Sequence, residues 1–289
     1  MKLLIFDLDG VITTEAGYWD IARQGLQEIL KPDRDPLPLD FIYWVKNHAI
    51  NHNWDVAFVA LTASHDFDQF RSTRDYLLGR QLLESCPGYR GRLWKAVHEV
   101  CQEIQDRSPL PSAGLHSPEE IAGLFGTLAA RGFAFAVATG RPKLEALAPL
   151  DRLGIRQYFP ENRIITHFEV EQAEHIALVP LGKPHPFVAL RAIHPEMPLD
   201  QLLRLPNEPT PGVWFIGDTV SDVGAAVAAG VVSVGILSAL PEGPYREQRR
   251  KTLRDLGCDT ILDSVLDLPR VLPATPSLTV GAQSREPRP

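Results

Sequence analysis

Two carboxylates stand one residue apart near the start of the chain. Asp7 and Asp9 lie in the stretch FDLDGVITTE, residues 6–15, directly after a short apolar run. Because alternate residues of an extended chain point the same way, both side chains can face one site beyond the end of a strand. Two bare carboxylates would repel each other there, so a positive group must share the site. A hard divalent cation such as Mg²⁺ takes oxygen ligands and would also attract a phosphate.

Further residues suited to phosphate chemistry follow at wide spacing. Asp218 and Asp222 form a second acid pair in GDTVSD. Thr139 lies in ATGRP, where a strand gives way to a helix, so its hydroxyl and the next backbone N–H groups, beginning at Gly140, can hold an anion. Lys183 lies in the loop LGKPHP and offers a fixed positive charge. Each feature alone is common in turns and helix caps, and only their conjunction indicates a phosphate site.

Continuous apolar runs supply the strands that position these residues. The runs are KLLIF (2–6), FAFAVAT (133–139), VWFIGD (213–218) and GVVSVGIL (230–237). Each is typical of a buried parallel strand. Helical segments alternate with them, and one is predicted to begin with Ser117 as N-cap and Pro118 in the first turn. The alternation predicts an α/β fold with an open parallel sheet, which binds ligands beyond the carboxyl ends of its strands.

Residues 15–114 interrupt this alternation. They contain no strand of comparable strength, most of the tryptophans, and helical runs such as YWDIARQGLQEIL and FRSTRDYLLGRQLLE. We therefore predict an inserted helical domain at 15–114 and an α/β core formed by 1–14 and 115–271. Residues 272–289 are rich in Pro and poor in large apolar side chains, which predicts a disordered tail.

The composition limits the class of protein and its partners. The 289 residues are 44% hydrophobic, enough to bury a large core and a smaller second one. The net charge of −7 argues against nucleic acid and anionic membranes, which both require basic patches. The three cysteines have no metal-site spacing, and no apolar run suits a signal peptide or a membrane span. We expect a cytoplasmic protein that acts on a small molecule; the sequence does not indicate its oligomeric state.

Taken together, FDLDGVIT, VATGR, GKP and GDTVSD resemble the four motifs of the haloacid dehalogenase superfamily, a group dominated by Mg²⁺-dependent phosphatases. The motifs run from residue 6 to residue 222, and the surrounding elements extend the resemblance to about residue 270. The resemblance implies a Rossmann-like core with an inserted α-helical cap. It also implies a Mg²⁺-dependent phosphatase that hydrolyses the phosphate monoester of a small metabolite.

The resemblance further implies a role for each motif residue. Asp7 would be the nucleophile that forms an aspartyl-phosphate, and Asp9 would be the general acid for the leaving oxygen and then the base for water. Thr139 and Lys183 would hold the phosphoryl oxygens. Asp218 would bind Mg²⁺ together with Asp7 and the backbone carbonyl of Asp9.

Asp222 would act behind these residues by orienting the waters of the metal or Lys183. The presence of Asp9 favours phosphate esters, because the dehalogenases of the superfamily release halide and need no proton donor there. The insertion lies between the first two motifs, as in phosphoglycolate phosphatases and β-phosphoglucomutases. Those relatives commonly carry Asp where this chain has Thr14. Two alternatives stay open: a sugar phosphomutase and a phosphoacceptor signalling domain.

Within the insertion, four residues are candidates for contact with the substrate. Arg71 and Arg74 lie three residues apart in FRSTRDYLL, so on a helix they would share a face and could contact an anionic group. Trp19 and Trp44 are candidate walls of a pocket, in a segment whose tryptophans otherwise indicate a packed core. Arg141 either stabilises the loop around Thr139 or faces solvent.

Overall fold

The computed structural model describes residues 2–31, 35–50, 52–107 and 113–273. Its central element is a six-stranded parallel sheet with the strand order β3-β2-β1-β4-β5-β6. The strands are β1 (Leu3–Phe6), β2 (Ala134–Ala138), β3 (Ile164–Ile165), β4 (Val213–Gly217), β5 (Val232–Ile236) and β6 (Thr260–Leu262). The predicted α/β fold with a Rossmann-like parallel sheet is confirmed.

The sheet changes its direction of growth at β1. The chain builds outward from β1 to β3 on one side and then places β4 on the other side of β1. Such a switch opens a crevice for ligands beyond the carboxyl ends of the two central strands. Alternate residues of β1 enter separate apolar clusters on the two faces, with Leu4 and Phe6 in one and Leu3 and Ile5 in the other. Burial on both faces explains why this strand is a continuous apolar run.

Six helices between Ala16 and Arg107 form what we call the helical segment. They are α1 (Ala16–Leu30), α2 (Leu39–Asn47), α3 (Asn53–Ala63), α4 (Phe67–Ser72), α5 (Arg80–Glu84) and α6 (Arg92–Arg107). The apolar side chains of these helices form a cluster of their own. The boundaries of a separate helical domain stay a prediction, and residues 108–112 of its second boundary lie outside the described residues. The two connections between the α/β core and the helical segment lie side by side at Thr14 and Ala113, because the Thr14 N–H donates to the Ala113 carbonyl at 2.8 Å.

Residues 113–273 form eight further helices. They are α7 (Pro118–Ala130), α8 (Lys143–Arg152), α9 (His167–Ala177), α10 (Phe187–Ile193), α11 (Leu199–Leu202), α12 (Val220–Ala228), α13 (Pro244–Asp255) and α14 (Leu268–Val271). Short 3₁₀ turns lie at Arg156–Tyr158, Glu161–Arg163 and Val265–Asp267. As predicted, Ser117 caps α7, in a capping box with Glu120, and Pro118 opens it. Pro142 is the N-cap of α8.

The run FRSTRDYLLGRQLLE does not form one helix, contrary to the sequence prediction. α4 ends at Ser72, and α5 begins only after an intervening turn. The hydroxyl of Thr73 donates to carbonyls of the last turn of α4, a local bond that competes with continued helix. Arg71 therefore lies in the last turn of α4 and Arg74 in the turn beyond it, so the two do not share a helix face.

The helical segment contacts the α/β core through α2, which packs against α13. The rings of Tyr43 and Tyr245 lie 5.3 Å apart at this contact. Beneath them, Val220 and Leu253 belong to a small apolar cluster to which Tyr43 also packs. This contact brings the end of α2 to the carboxyl end of β4.

The described chain ends in the core. Leu272, which the sequence assigns to the tail, is buried, and its carbonyl accepts a hydrogen bond from Arg131 at 2.6 Å. Residues 274–289 of the predicted tail lie outside the described residues. Of the helices described here, none combines the length and the apolar character that crossing a bilayer requires.

Candidate active site

The first acid of the site is fixed by the end of β1. The Asp7 N–H donates to the Ile216 carbonyl of β4 at 2.8 Å, which continues the ladder between the two strands. One carboxylate oxygen of Asp7 accepts from the Leu8 N–H at 2.8 Å. The Asp7 side chain is thus held in the crevice between the two central strands, where a parallel sheet binds its ligands.

Lys183 reaches the same point from the loop before α10. Its Nζ lies 3.0 Å from Asp7 Oδ2 and 2.6 Å from Asp222 Oδ1. The other oxygen of Asp222 accepts from the N–H and the hydroxyl of Thr219, at 3.0 and 2.6 Å. Asp222 therefore serves two purposes, because it caps α12 and positions the lysine beside Asp7.

Thr139 follows β2 and is buried next to these groups. Its N–H donates to the Ile165 carbonyl at 2.9 Å, and its hydroxyl accepts from the Arg141 N–H at 3.3 Å. Thr139, Gly140 and Lys183 all line the same cavity as Asp7. The structure thus brings together the residues that the sequence selects for phosphate binding.

Asp218, at the end of β4, lies against the loop that follows β1. Gly10 has φ +77°, and a Cβ on it would lie 2.3 Å from the Asp218 carboxylate, so only glycine permits this close approach. Ligand atoms of Asp7, Asp218 and Asp222 lie within 4.8 Å of one another. Asp218 Oδ1 is buried without a hydrogen-bond partner among the described residues. A buried, unpartnered carboxylate oxygen in an acidic cluster fits a hard cation.

The charges of the cluster are unbalanced without such a cation. Burial raises the pKa of Asp7 to about 7, although Lys183 opposes the shift. Burial also raises the pKa of Asp218 well above its usual range, and Lys46 opposes that shift. In contrast, Lys183 and Thr219 outweigh burial at Asp222 and hold the pKa of that carboxyl below its usual value. Asp7 and Asp218 are therefore the acids whose ionised forms an added positive charge would stabilise most.

Lys46, on α2, is a residue of the site that the sequence analysis missed. It is 3% exposed, its Nζ forms an ion pair with Glu15, and it lies 3.4 Å from Asp218 Oδ2. It also lies 5.3 Å from the centre of the Trp19 ring. Because neighbouring carboxylates outweigh burial, the pKa of Lys46 is raised. No motif marks this lysine, which reaches the site only because α2 packs on the core.

Arg249, on α13, is a second residue that the sequence gave no reason to select. Its guanidinium is fully buried and donates to the main-chain carbonyl of Asp218 and to the side-chain oxygen of Asn47. Asn47 belongs to α2, so one arginine joins the helical segment to the residue that ends β4. Arg249 thereby holds the backbone of the acidic cluster in place.

Arg141 does not face solvent. It is 2% exposed, its Nε donates to Asp9 Oδ2 at 2.8 Å, and its Nη2 contacts Asp9 Oδ1. Both oxygens of Asp9 are therefore held by one guanidinium, a fork geometry that fixes the carboxylate. The arginine of the VATGR motif thus positions the second acid of FDLDG.

The site opens into a cavity of about 540 Å³ between the core and the helical segment. The side chains of Trp19, Trp54 and Trp94 line it, whereas Trp44 packs in the cluster of the helical segment and donates to Asp75. Sequence reasoning selected Trp19 correctly as a wall and missed Trp54 and Trp94. Trp54 lies on α3 and Trp94 on α6, and only helical periodicity could have indicated that they lie on cavity-facing sides of these helices.

The two arginines proposed as substrate contacts do not line the cavity. Arg71 pairs with Asp40 at 2.9 Å, and Arg74 donates to Ser85 at 3.1 Å and packs over the ring of Phe70. Both side chains are therefore engaged within the helical segment.

A family model described as haloacid dehalogenase-like hydrolase matches residues 1–230. The chain belongs to this family. The sequence of this haloacid dehalogenase-like hydrolase matches no curated protein.

Solved structures resemble this hydrolase over almost its whole length. Structural genomics target ZR25 is 20% identical with a TM-score of 0.68, covering 94% of this chain and 98% of that one. A protein of Lactobacillus delbrueckii subsp. bulgaricus, assigned as a phosphoglycolate phosphatase, is 18% identical with a TM-score of 0.60, covering 93% and 97%. A protein of Bacteroides vulgatus, assigned as a β-phosphoglucomutase, is 17% identical with a TM-score of 0.53, covering 93% and 86%. At these identities the likeness is one of fold.

Replacing Lys46 with methionine is expected to destabilise this hydrolase in the absence of divalent cations. The change leaves the buried Asp218 and the partly buried Glu15 without their shared cation, and breaking a buried ion pair costs about 3–5 kcal/mol. Denaturant unfolding measures the free energy. Lys95→Met, at an exposed position on α6, is the matched control. The double variant Lys46→Met with Glu15→Gln should recover part of the loss; equal effects of Lys46→Met and Lys95→Met would contradict the expectation.

Proposed function

We propose that this chain is a Mg²⁺-dependent phosphatase that hydrolyses the phosphate monoester of a small metabolite through an aspartyl-phosphate. One observation carries the proposal. The carboxylate of Asp7 lies at the switch point of the sheet, 3.0 Å from Lys183 Nζ and within 4.8 Å of a carboxylate oxygen of Asp218, whose Oδ1 has no hydrogen-bond partner among the described residues. A nucleophile placed between a fixed cation and a cation-binding oxygen suits the transfer of an anionic group.

The chain's own residues account for the first chemical step. Asp7 attacks phosphorus, the bond from phosphorus to the alcohol oxygen breaks, and Asp9 gives that oxygen a proton. Thr139 and Lys183 hold the phosphoryl oxygens and balance the charge that spreads over them, and the Gly140 N–H adds a donor. The hydrogen bond from the Leu8 N–H to the Asp7 carboxylate fixes the orientation of the nucleophile.

The second step reverses the proton transfer. Asp9 removes a proton from water, the water oxygen bonds to phosphorus, and the bond from phosphorus to Asp7 breaks. Asp9 is held by Arg141 on both oxygens, but a carboxylate oxygen can accept two hydrogen bonds, so Asp9 Oδ2 can also contact substrate or water. Arg141 is thus a positioning residue for Asp9.

Asp7, Asp218 and the backbone carbonyl of Asp9 would hold Mg²⁺. When bound, the ion would neutralise charge on the phosphoryl oxygens, which is the Lewis-acid contribution expected in phosphoryl transfer. Asp222 lies behind Lys183, already engaged by that lysine and by Thr219. The helical segment would act as a cap that closes over the substrate and excludes bulk water.

The proposal is tested by phosphate release from a broad panel of phosphate monoesters, with and without Mg²⁺. We expect release that depends on Mg²⁺ and is abolished by chelation. A sugar phosphomutase would instead isomerise a hexose phosphate under stimulation by a bisphosphate, with little net phosphate release. A phosphoacceptor domain would retain its aspartyl-phosphate for minutes. No Mg²⁺-dependent release from any ester of the panel would overturn the proposal.

Mg²⁺ is expected to raise the melting temperature of the protein. At about 100 times its Kd, a ligand of the folded state alone adds about 2.7 kcal/mol, which in a chain of this size is a shift of roughly 4–5 °C. Thermal unfolding with and without Mg²⁺ measures the shift. Asp218→Asn should lose most of it, whereas Asp151→Asn, an exposed acid on α8, should retain it. An unchanged shift in Asp218→Asn would exclude this residue as a ligand.

A further inference from the structure

Beyond the phosphate site, the cavity has an aromatic wall. We call the rings of His52, Trp54, Trp94, His98 and His167 the distal wall; all five residues line the cavity. The rings of His52 and Trp54 stack in parallel, with centroids 4.7 Å apart and an interplanar angle of 6°. Trp94 and His98 stack with centroids 5.5 Å apart and an angle of 12°. Stacked rings form rigid walls that favour flat ligand groups.

Two helices supply the remainder of this region. On α9, His167, Val170, Glu171 and Glu174 line the cavity, and their spacing places them on one helix face. On α6, Trp94, His98 and Gln102 recur every four residues and also form one face. The organic part of a substrate would therefore lie between a helix that presents two carboxylates and a helix that presents rings and an amide.

Every lysine and arginine among the described residues of the lining already has a carboxylate partner. The lining cations each contact a carboxylate: Lys183 contacts Asp7, Arg141 contacts Asp9, and Lys46 contacts Glu15. His52 adds no positive charge near neutral pH. Although its side chain is accessible from the cavity, desolvation by the surrounding protein, aided by His167, lowers its pKa to about 4.

The acids of α9 make this end of the cavity unfavourable for anions. Glu174 is held by the N–H groups of Leu181 and Gly182, at 2.6 and 3.1 Å. Glu171 is exposed to the cavity. A carboxylate or second phosphate of a substrate would meet these like charges without a compensating arginine or lysine. Such repulsion between like charges lowers the affinity for the substrate.

We propose that the alcohol part of the substrate carries a flat ring and no second anionic group. The inference rests on the proposed function, since it assigns the substrate class of the same site. It separates this hydrolase from enzymes that act on phosphoglycolate, which carries a carboxylate, and from mutases that bind a hexose bisphosphate, which carries a second phosphate. A neutral or cationic ring stacks on the distal wall while its polar groups contact Gln102 and Glu171.

The test uses phosphonates, whose binding can be measured whether or not the enzyme turns over esters. Calorimetry on the full chain with Mg²⁺ compares 2-hydroxyethylphosphonate with phosphonoacetate, which differ in a hydroxymethyl group against a carboxylate. It also compares benzylphosphonate with ethylphosphonate, which differ in the ring. We expect the neutral member of the first pair to bind at least about tenfold more tightly. We expect the ring to improve binding by up to about tenfold in the second pair.

Variants connect each preference with its residue. Glu171→Gln should reduce the difference in affinity between 2-hydroxyethylphosphonate and phosphonoacetate and leave the effect of the ring unchanged. Trp54→Leu should reduce the difference in affinity between benzylphosphonate and ethylphosphonate and leave the effect of the carboxylate unchanged. Thermal unfolding checks that each variant is folded. Glu119→Gln, at an exposed position on α7, is the control for the loss of one acid.

Two results separate the failure of this inference from the failure of the proposed function. If phosphonoacetate binds as tightly as 2-hydroxyethylphosphonate, or the ring adds nothing, the substrate class is wrong and the phosphatase proposal stands. If no phosphonate binds and no ester is hydrolysed, both proposals fall.

Discussion

Replacing Asp7 with asparagine is expected to lower kcat by about four orders of magnitude or more, the scale seen when an enzyme loses its nucleophile. The two side chains have the same shape, so the amide fits the space between Leu8 and Lys183. An amide nitrogen or oxygen is a far weaker nucleophile than a carboxylate, so no covalent phosphoenzyme forms. Phosphate release from the best ester of the panel measures the loss.

A second measurement distinguishes loss of the nucleophile from loss of the fold. Acid quenching during turnover of a radiolabelled ester should trap a hydroxylamine-sensitive phosphoenzyme in the wild type and none in Asp7→Asn. Asp151→Asn, which removes an exposed acid outside the site, should retain wild-type kcat and labelling. Residual activity above about one per cent in Asp7→Asn, free of contaminating phosphatase, would count against Asp7 as the nucleophile.

The arrangement of Asp7, Thr139 and Asp218 was predictable because each of them directly follows a buried parallel strand, whereas Lys183 lies in the loop before α10 and no strand end marks it. Buried parallel strands are continuous apolar runs, so their ends can be located in the sequence, and the residues that follow them meet at one edge of the sheet. The weak strands β3 and β6 were not predicted. They are two and three residues long, too short for any periodic pattern to mark them.

The part of the site contributed by the helical segment could not be predicted in the same way. Lys46 of the helical segment reaches Asp218 of the core only because α2 packs on α13, whose Arg249 also contacts Asp218. Periodicity shows that a helix is amphipathic, but several surfaces compete to cover its faces. Arg71 and Arg74 illustrate the difficulty, because both side chains are engaged by partners within the helical segment that periodicity does not reveal.

The contact between Arg141 and Asp9 shows how local motifs acquire meaning only in three dimensions. VATGR and FDLDG are separated by the whole helical segment, yet the guanidinium of one holds both carboxylate oxygens of the other. Thr13 adds a third bond, from its hydroxyl to Asp9 at 3.2 Å. The position of Asp9 is thus determined by three separate contacts, which suits its proposed role as the general acid.

Replacing Asp9 with asparagine is expected to lower kcat by about 10²–10⁴-fold, the usual contribution of a positioned general acid and base. The amide keeps a partner for Thr13 but cannot give a proton to an alkoxide or take one from water. The loss should depend on the leaving group: p-nitrophenyl phosphate, whose phenolate leaves without a proton, should lose less in the first step than benzyl phosphate. Quenched-flow kinetics with both esters measures the first step directly.

The same variant separates the two proposed roles of Asp9, general acid in the first step and general base in the second. With p-nitrophenyl phosphate the phosphoenzyme should still form but decay slowly, so that it accumulates in Asp9→Asn and not in the wild type. A burst of nitrophenolate followed by slow turnover would report that accumulation. The control is Asp151→Asn, which leaves Asp9 and both of its proposed proton transfers unchanged. If Asp9→Asn slowed both esters equally and trapped no phosphoenzyme, the residue would be acting on Asp7 or Arg141 through the structure and not on a proton.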